Sequence, residues 1–151
     1  MTVATQAMTR EQRKSVALEY FKRLDRGGDV LELFAEDADA YFPKWGVARG
    51  KDEIGRMFRD VAELFSEISH HPEYLKFIVE GDMVVVEGIT SGVTADGVQW
   101  RAGVTHAGRW CDVFEIRDFK IQRCFIYLDP DYAGADTARY HWLRDREPAR
   151  A

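Results

Sequence analysis

"GRWCDVFEIRDFKIQRCFIYLDP", residues 108–130, holds two apolar runs, 109–116 and 120–128, separated by the polar break Arg117-Asp118-Phe119. β-branched and aromatic residues dominate both runs, so the stretch predicts an antiparallel hairpin that Pro130 brings to an end. Side chains alternate across a strand, which puts Trp110, Asp112, Phe114 and Ile116 on one face and Cys111, Val113 and Glu115 on the other. Asp112 stands out. A charge buried in such a run without a partner costs several kcal/mol, so this carboxylate needs either a partner or a cavity to face.

Working back from the hairpin, further strand-like runs fall at 74–79, 83–93 and 98–102, punctuated by Gly81-Asp82 and by the hairpin signal Asp96-Gly97. The first third of the chain has a different period. Thr9 followed by Gln12 is a capping-box pattern, and Val16, Ala17, Tyr20, Phe21 and Leu24 then recur at helical spacing up to Gly27-Gly28. Asp29 can cap a short second helix with Val30, Leu33 and Phe34, and a strand over 38–42 closes at Pro43. After Gly50 comes a third helix whose apolar stripe runs from Ile54 through Met57, Phe58, Val61, Leu64 and Phe65 to Ile68.

Three N-terminal helices followed by an antiparallel meander give an α+β plan with the helices on one face. A strongly curved antiparallel sheet wrapped against them makes a cone-shaped α+β barrel that encloses a pocket. In the run 83–93, Val86, Gly88, Thr90 and Gly92 share a face; such small residues either leave pocket volume or mark bulges at a bend. The predicted domain spans 9–132, with a flexible lead over 1–8, a polar tail over 133–151, and anchoring aromatics at Tyr132, Tyr140 and Trp142.

Composition narrows the function classes. With 151 residues, 46% hydrophobic, the chain suits one globular domain. Its 26 acidic against 21 basic residues give a net charge of −5, and no basic run or zinc spacing points to nucleic acid. No stretch approaches a membrane span, and MTVATQAM has neither the basic nor the apolar region of a signal peptide, so a cytoplasmic location is expected. Cys111 and Cys124 fall in apolar runs and read as core thiols. No HxH, HxxxH or carboxylate cluster suggests a metal, and no cofactor motif is present.

Three segments in order, "EYFKRLDRGGDVLELFAEDADAYFP" (19–43), "GKDEIGRMF" (50–58) and "GRWCDVFEIRDFKIQRCFIYLDPDY" (108–132), resemble the nuclear transport factor 2-like superfamily. The likeness spans roughly residues 10–132 and is nearest to bacterial SnoaL-like and ketosteroid isomerase-like proteins. It implies that Tyr20 and Asp112 stand where ketosteroid isomerases keep their oxyanion hole. The isomerase base falls on Phe42, the acid of limonene epoxide hydrolases and SnoaL-like cyclases on Ile126, and the epoxide hydrolase Arg/Asp pair near Gly88 and Thr90. None of those three activities transfers intact. Scytalone dehydratase, another relative, works with two histidines; this chain offers His106 and the pair His70-His71 before Pro72. Family members usually read RDGK at the hairpin. A three-residue loop of that kind would force Phe119 into a left-handed conformation, pair Asp112 with Cys124, and point the two thiols to opposite faces.

The expected catalytic set is Asp112 for proton transfer, Tyr20 as a hydrogen-bond donor and His106 as a second acid–base group. Phe42, Lys44, Trp45, Phe58, Thr90, Trp100, Trp110 and Ile126 are expected to hold the substrate. The expected function is a cofactor-independent isomerase, dehydratase, hydratase or cyclase acting on a small, largely apolar ring compound. The alternative is a non-catalytic ligand-binding or dimerisation module. Apolar residues on the outer sheet face, Cys111, Val113, Phe125 and Tyr127, predict a homodimer.

Overall fold

The computed structural model describes residues 7–144. Helix α1 (Arg10–Arg26) begins on the predicted capping box: the Thr9 hydroxyl accepts from the Gln12 N–H at 3.1 Å, and the Gln12 side chain accepts from the Thr9 N–H at 2.8 Å. Gly27 ends it in a left-handed conformation. Arg13 ties the helix to the sheet by donating to the Ile116 and Met8 carbonyls and to Asp82. Met8 is thus buried, within the stretch predicted as a free lead; residues 1–6 and 145–151 lie outside the described part.

Asp29 caps the next turn by accepting from the Leu31 N–H, but Leu31–Leu33 forms a single 3₁₀ turn, not a helix. Strands β1 (Phe34–Phe42) and β2 (Gly46–Arg49) follow, then α2 (Gly50–Ala62). The stripe predicted to run helically to Ile68 stops at Ala62. Phe65–Ser69 is strand β3, because a short apolar run fits either period and its ladder with β6 decides the outcome. Strands β4 (Lys76–Glu80), β5 (Met83–Ile89), β6 (Ser91–Thr94), β7 (Gln99–Arg101), β8 (Arg109–Arg117) and β9 (Lys120–Leu128) complete the sheets, and the third helix, α3 (His141–Arg144), is C-terminal. Toward it, Tyr132 is buried against Phe65 and Trp100, while Tyr140 and Trp142 pack on each other.

The strands form two sheets, where a single antiparallel one was expected. One has the order β2-β1-β9-β8-β5-β4 and the other β3-β6-β7. The six-stranded sheet is mixed: β1 and β9 run parallel, since the chain crosses over through α2 and the other strands before returning. The predicted strand 83–93 breaks at Thr90, where the chain passes from one sheet to the other. There the Thr90 N–H donates to the Gly108 carbonyl at 2.7 Å and the Ala102 N–H donates to the Thr90 carbonyl. The glycines flanking this corner do not leave empty space. A Cβ at Gly88 would lie 2.2 Å from the Trp110 ring, and one at Gly92 would lie 2.2 Å from the Glu67 carbonyl and 2.4 Å from Trp100. Each glycine receives an indole. No helix among the described residues is long and apolar enough to cross a membrane.

The hairpin closes on two residues, not three. Arg117 pairs with Lys120, and Asp118 and Phe119 have φ of 52° and 59°, the two left-handed positions of a type I′ turn. A bulge between Glu115 and Ile116 then sets Asp112 opposite Ile126 and Phe114 opposite Cys124. The shift of two from the expected partner leaves every side chain on its predicted face. Cys111 and Cys124 are free thiols on opposite faces. Phe119 is left-handed and 52% exposed. Phe119→Gly should therefore raise stability by about 1 kcal/mol, about 2–4 °C in Tm, in thermal unfolding. A lower Tm would show that contacts of the Phe119 ring outweigh the strain.

Candidate functional site

A cavity of about 420 Å³ opens between α1, α2 and the inner face of the large sheet. Helix α1 contributes Tyr20 and α2 contributes Phe58. The sheets contribute Phe42, Trp110, Asp112 and Ile126, and the corner contributes Thr90. Phe65, Ile68 and Tyr132, outside the predicted set, complete the apolar wall, and Arg23 and Arg59 bring charge to its rim.

Asp112 occupies the middle of β8, between Val86 of β5 and Ile126 of β9. It is 3% exposed, and its Oδ1 has no hydrogen-bond partner in the protein. Burial pushes its carboxyl well above the usual range, in the direction of the neutral acid. The Tyr20 side chain is buried too, and no hydrogen bond joins it to Asp112. Burial raises the Tyr20 phenol, and the nearby Cys124 and Asp112 add to the effect. The expected Tyr20–Asp112 pair therefore shares one wall without a direct bond between them.

A second ionisable group on the wall is His70, just beyond β3. Asp25, in the last turn of α1, holds it twice: one carboxylate accepts the His70 backbone N–H at 2.9 Å and meets the ring Nδ1 at 2.5 Å. Burial acts to raise Asp25, but the hydrogen bonds and charge of His70 outweigh it and hold the carboxyl below its usual value. With Nδ1 engaged, Nε2 is the ring nitrogen left for chemistry. The ring is seated between Phe21 and Trp110, at 5.7 and 5.9 Å between centroids. The sequence carries a trace of this pair: Asp25 follows Phe21 by four, so it lies on the apolar face of α1.

Four predicted residues are not on the wall. His106 is exposed in the loop after β7, beside Arg109 and Asp131 on a separate depression. The left-handed Gly103 and Gly108 end the alternation that would have carried it inward. Lys44 is exposed in the β1–β2 turn at φ 71°. Trp45 lies on α2, donating its Nε1 to Asp60 at 2.8 Å beneath Arg56. Trp100 is buried behind the cavity with Phe65 and Tyr132, and its Nε1 donates to the Thr90 hydroxyl at 3.1 Å. Among the described residues no group of three or more His, Cys, Asp or Glu is placed to hold a metal ion.

These features define an α+β pocket protein with a buried carboxyl and a carboxylate-held histidine lining one cavity. The chain belongs to the SnoaL-like family, whose domain model matches residues 17–124. No curated protein matches it. Among solved structures it is similar to an NTF2-like protein from Anabaena variabilis, with 23% identity, 83% of this chain and 97% of that chain covered, and a TM-score of 0.67. It is also similar to a protein from Xanthomonas campestris provisionally described as a polyketide cyclase (18% identity, 80% and 92% covered, TM-score 0.66). A third is TerC, crystallised with polyporic acid (17% identity, 78% and 92% covered, TM-score 0.66). The fold is thus NTF2-like, in agreement with the resemblance of the sequence.

The raised carboxyl of Asp112 has a defined consequence for stability. Its folded pKa lies above its unfolded value, so wild type keeps this contribution below about pH 4 and loses it as pH rises toward the folded pKa. Asparagine has no such titration, and comparison at each pH cancels the opposite contribution of Asp25. Asp112→Asn should therefore melt above wild type, with a gap that widens as pH rises from about 4. A constant or reversed gap in thermal unfolding would mean that protein donors hold the ionised carboxylate.

Proposed function

We propose that this protein is a cofactor-independent acid–base enzyme acting on a small, largely apolar cyclic molecule of polyketide, terpenoid or steroid-like kind. One observation carries the reading: a single apolar cavity brings together the buried carboxyl of Asp112 and the His70 ring held by Asp25. In this reading the two sheets and the helices act as a cone around the substrate. His70 Nε2 takes a proton from a carbon of the bound ring, Asp25 stabilises the resulting imidazolium, and Asp112 donates toward the oxygen that gains charge. Returning the proton to another atom completes an isomerisation; expelling hydroxide with it completes a dehydration. The aromatic wall excludes water. Similarity to a provisional polyketide cyclase and to a protein crystallised with polyporic acid supports a ring-shaped ligand.

The chemistry can be read without the natural substrate. Wild type should accelerate deuterium exchange at the carbon next to the carbonyl of 2-tetralone or 1-indanone in D₂O, followed by NMR. His70→Gln should slow this by about 10²-fold or more, and Asp25→Asn by less, the latter with a lower Tm because it loosens the hold on the ring. No acceleration by wild type would favour the alternative, a binding module. The apolar residues at Phe42 and Ile126, where relatives keep acids, are what speak for that alternative.

The outer sheet face supports a homodimer. Ile78, Val85, Val113, Phe125, Tyr41 and Val47 stand in register as one apolar row across all six strands. We propose that a second copy covers this row. Val113→Glu at its centre should give a monomer by light scattering at micromolar concentration where wild type is a dimer. A wild-type monomer would remove the proposal.

A further inference from the structure

Among the described residues, two buried side-chain nitrogen or oxygen atoms lack a hydrogen-bond partner in the protein: Trp110 Nε1 and Asp112 Oδ1. Buried polar groups are nearly always paired, so each orphan calls for an explanation. Both residues line one cavity, and they stand two positions apart on the same face of β8. The other indoles of the folded core are satisfied internally, Trp45 by Asp60 and Trp100 by Thr90. Trp110 alone among these three keeps a free N–H, and it is 5% exposed.

Its ring is also immobilised. The indole fills the space over Gly88 and packs against Phe21 at 4.7 Å between centroids, with the His70 ring at 5.9 Å. A donor fixed this firmly beside a candidate base costs no reorganisation when a ligand arrives. An indole N–H can only donate, and a neutral carboxyl offers an O–H. The indole N–H and the carboxyl O–H together suit a ligand oxygen that accepts, while the carboxyl keeps acceptor capacity of its own.

We propose that Trp110 is a specificity-determining residue whose indole N–H donates to a carbonyl-type oxygen on the ring of the ligand, beside Asp112. The inference rests on the cavity being a ligand site, and it narrows the ligand class to ring compounds bearing an acceptor oxygen. It does not depend on turnover.

The test uses two probes of nearly the same shape, 1-tetralone and tetralin, which differ by the ketone oxygen. Wild type should bind 1-tetralone about tenfold more tightly, as expected when a buried donor gains its partner. Trp110→Phe keeps a flat ring over Gly88 and removes the N–H; the ratio of the two affinities should fall toward one, whatever the change in tetralin affinity. In ¹⁵N-labelled wild type, one indole N–H proton should move downfield with 1-tetralone and not with tetralin, so the question is decided even if the variant does not fold. Equal binding of the two probes would overturn the inference and leave the cavity reading standing. So would a preference that survives Trp110→Phe, or an unmoved indole signal, which would mean that Trp110 only packs or bonds ordered water. Failure of both probes to bind would overturn the inference together with the ligand site on which it rests.

Discussion

The register of β8 governs the site, because β8 lies inside the large sheet with β9 on one side and β5 on the other. A slip of one residue would turn Trp110, Asp112, Phe114 and Ile116 outward and bring Cys111, Val113 and Glu115 into the core. Two devices hold the register. The tight turn at Asp118 and Phe119 fixes the closing pair, and the bulge at Glu115 and Ile116 absorbs one extra residue before the cavity is reached. Both are local irregularities that serve a long-range placement. The strained turn is tolerated because a full core of Phe114, Ile116, Ile121 and Cys124 packs on the strands it joins.

The inner face that results puts two carboxyl groups under opposite influences. Asp112 has apolar neighbours on both flanking strands, and desolvation pushes its carboxyl up, toward the protonated form. Asp25 is also desolvated in part, yet the histidine it grips outweighs burial and keeps it ionised. Environments that push two carboxyl groups of one site apart assign them different tasks. Asp112 is suited to giving a proton or a hydrogen bond. Asp25 is suited to staying charged and orienting a ring. Neither role could be exchanged without exchanging the surroundings.

What the sequence made legible follows from which contacts are local. The capping box at Thr9, the face alternation of 109–116 and the burial of Asp112 depend on neighbours within a few residues, and all three appear as read. The split of 83–93 into two strands depends on Thr90 bonding to residues 102 and 108, which no periodicity reports. The pair Asp25–His70 joins residues 45 apart through a helix end and a strand end. Alternation counted back from Asp112 would turn His106 inward, and the left-handed Gly108 between them interrupts it. Likewise Trp45 and Trp100 were legible as large aromatics, but their indole N–H partners, Asp60 and Thr90, decide where the rings lie.

The corner at Thr90 links these elements mechanically. Its hydroxyl accepts from Trp100, its backbone bonds both ends of the 102–108 loop, and its side chain faces the cavity. On either side a glycine yields its Cβ volume to an indole, Trp110 in front and Trp100 behind. An alanine at either glycine would have to displace a packed ring or, at Gly92, the Glu67 backbone as well. The cavity wall and the small aromatic core of Trp100, Ala107 and Tyr132 are therefore built against one hinge of chain that cannot easily shift. This rigidity lets a wall made mostly of apolar side chains hold an unpaired N–H and an unpaired carboxyl at fixed positions, since neither group can relax toward a partner in the protein.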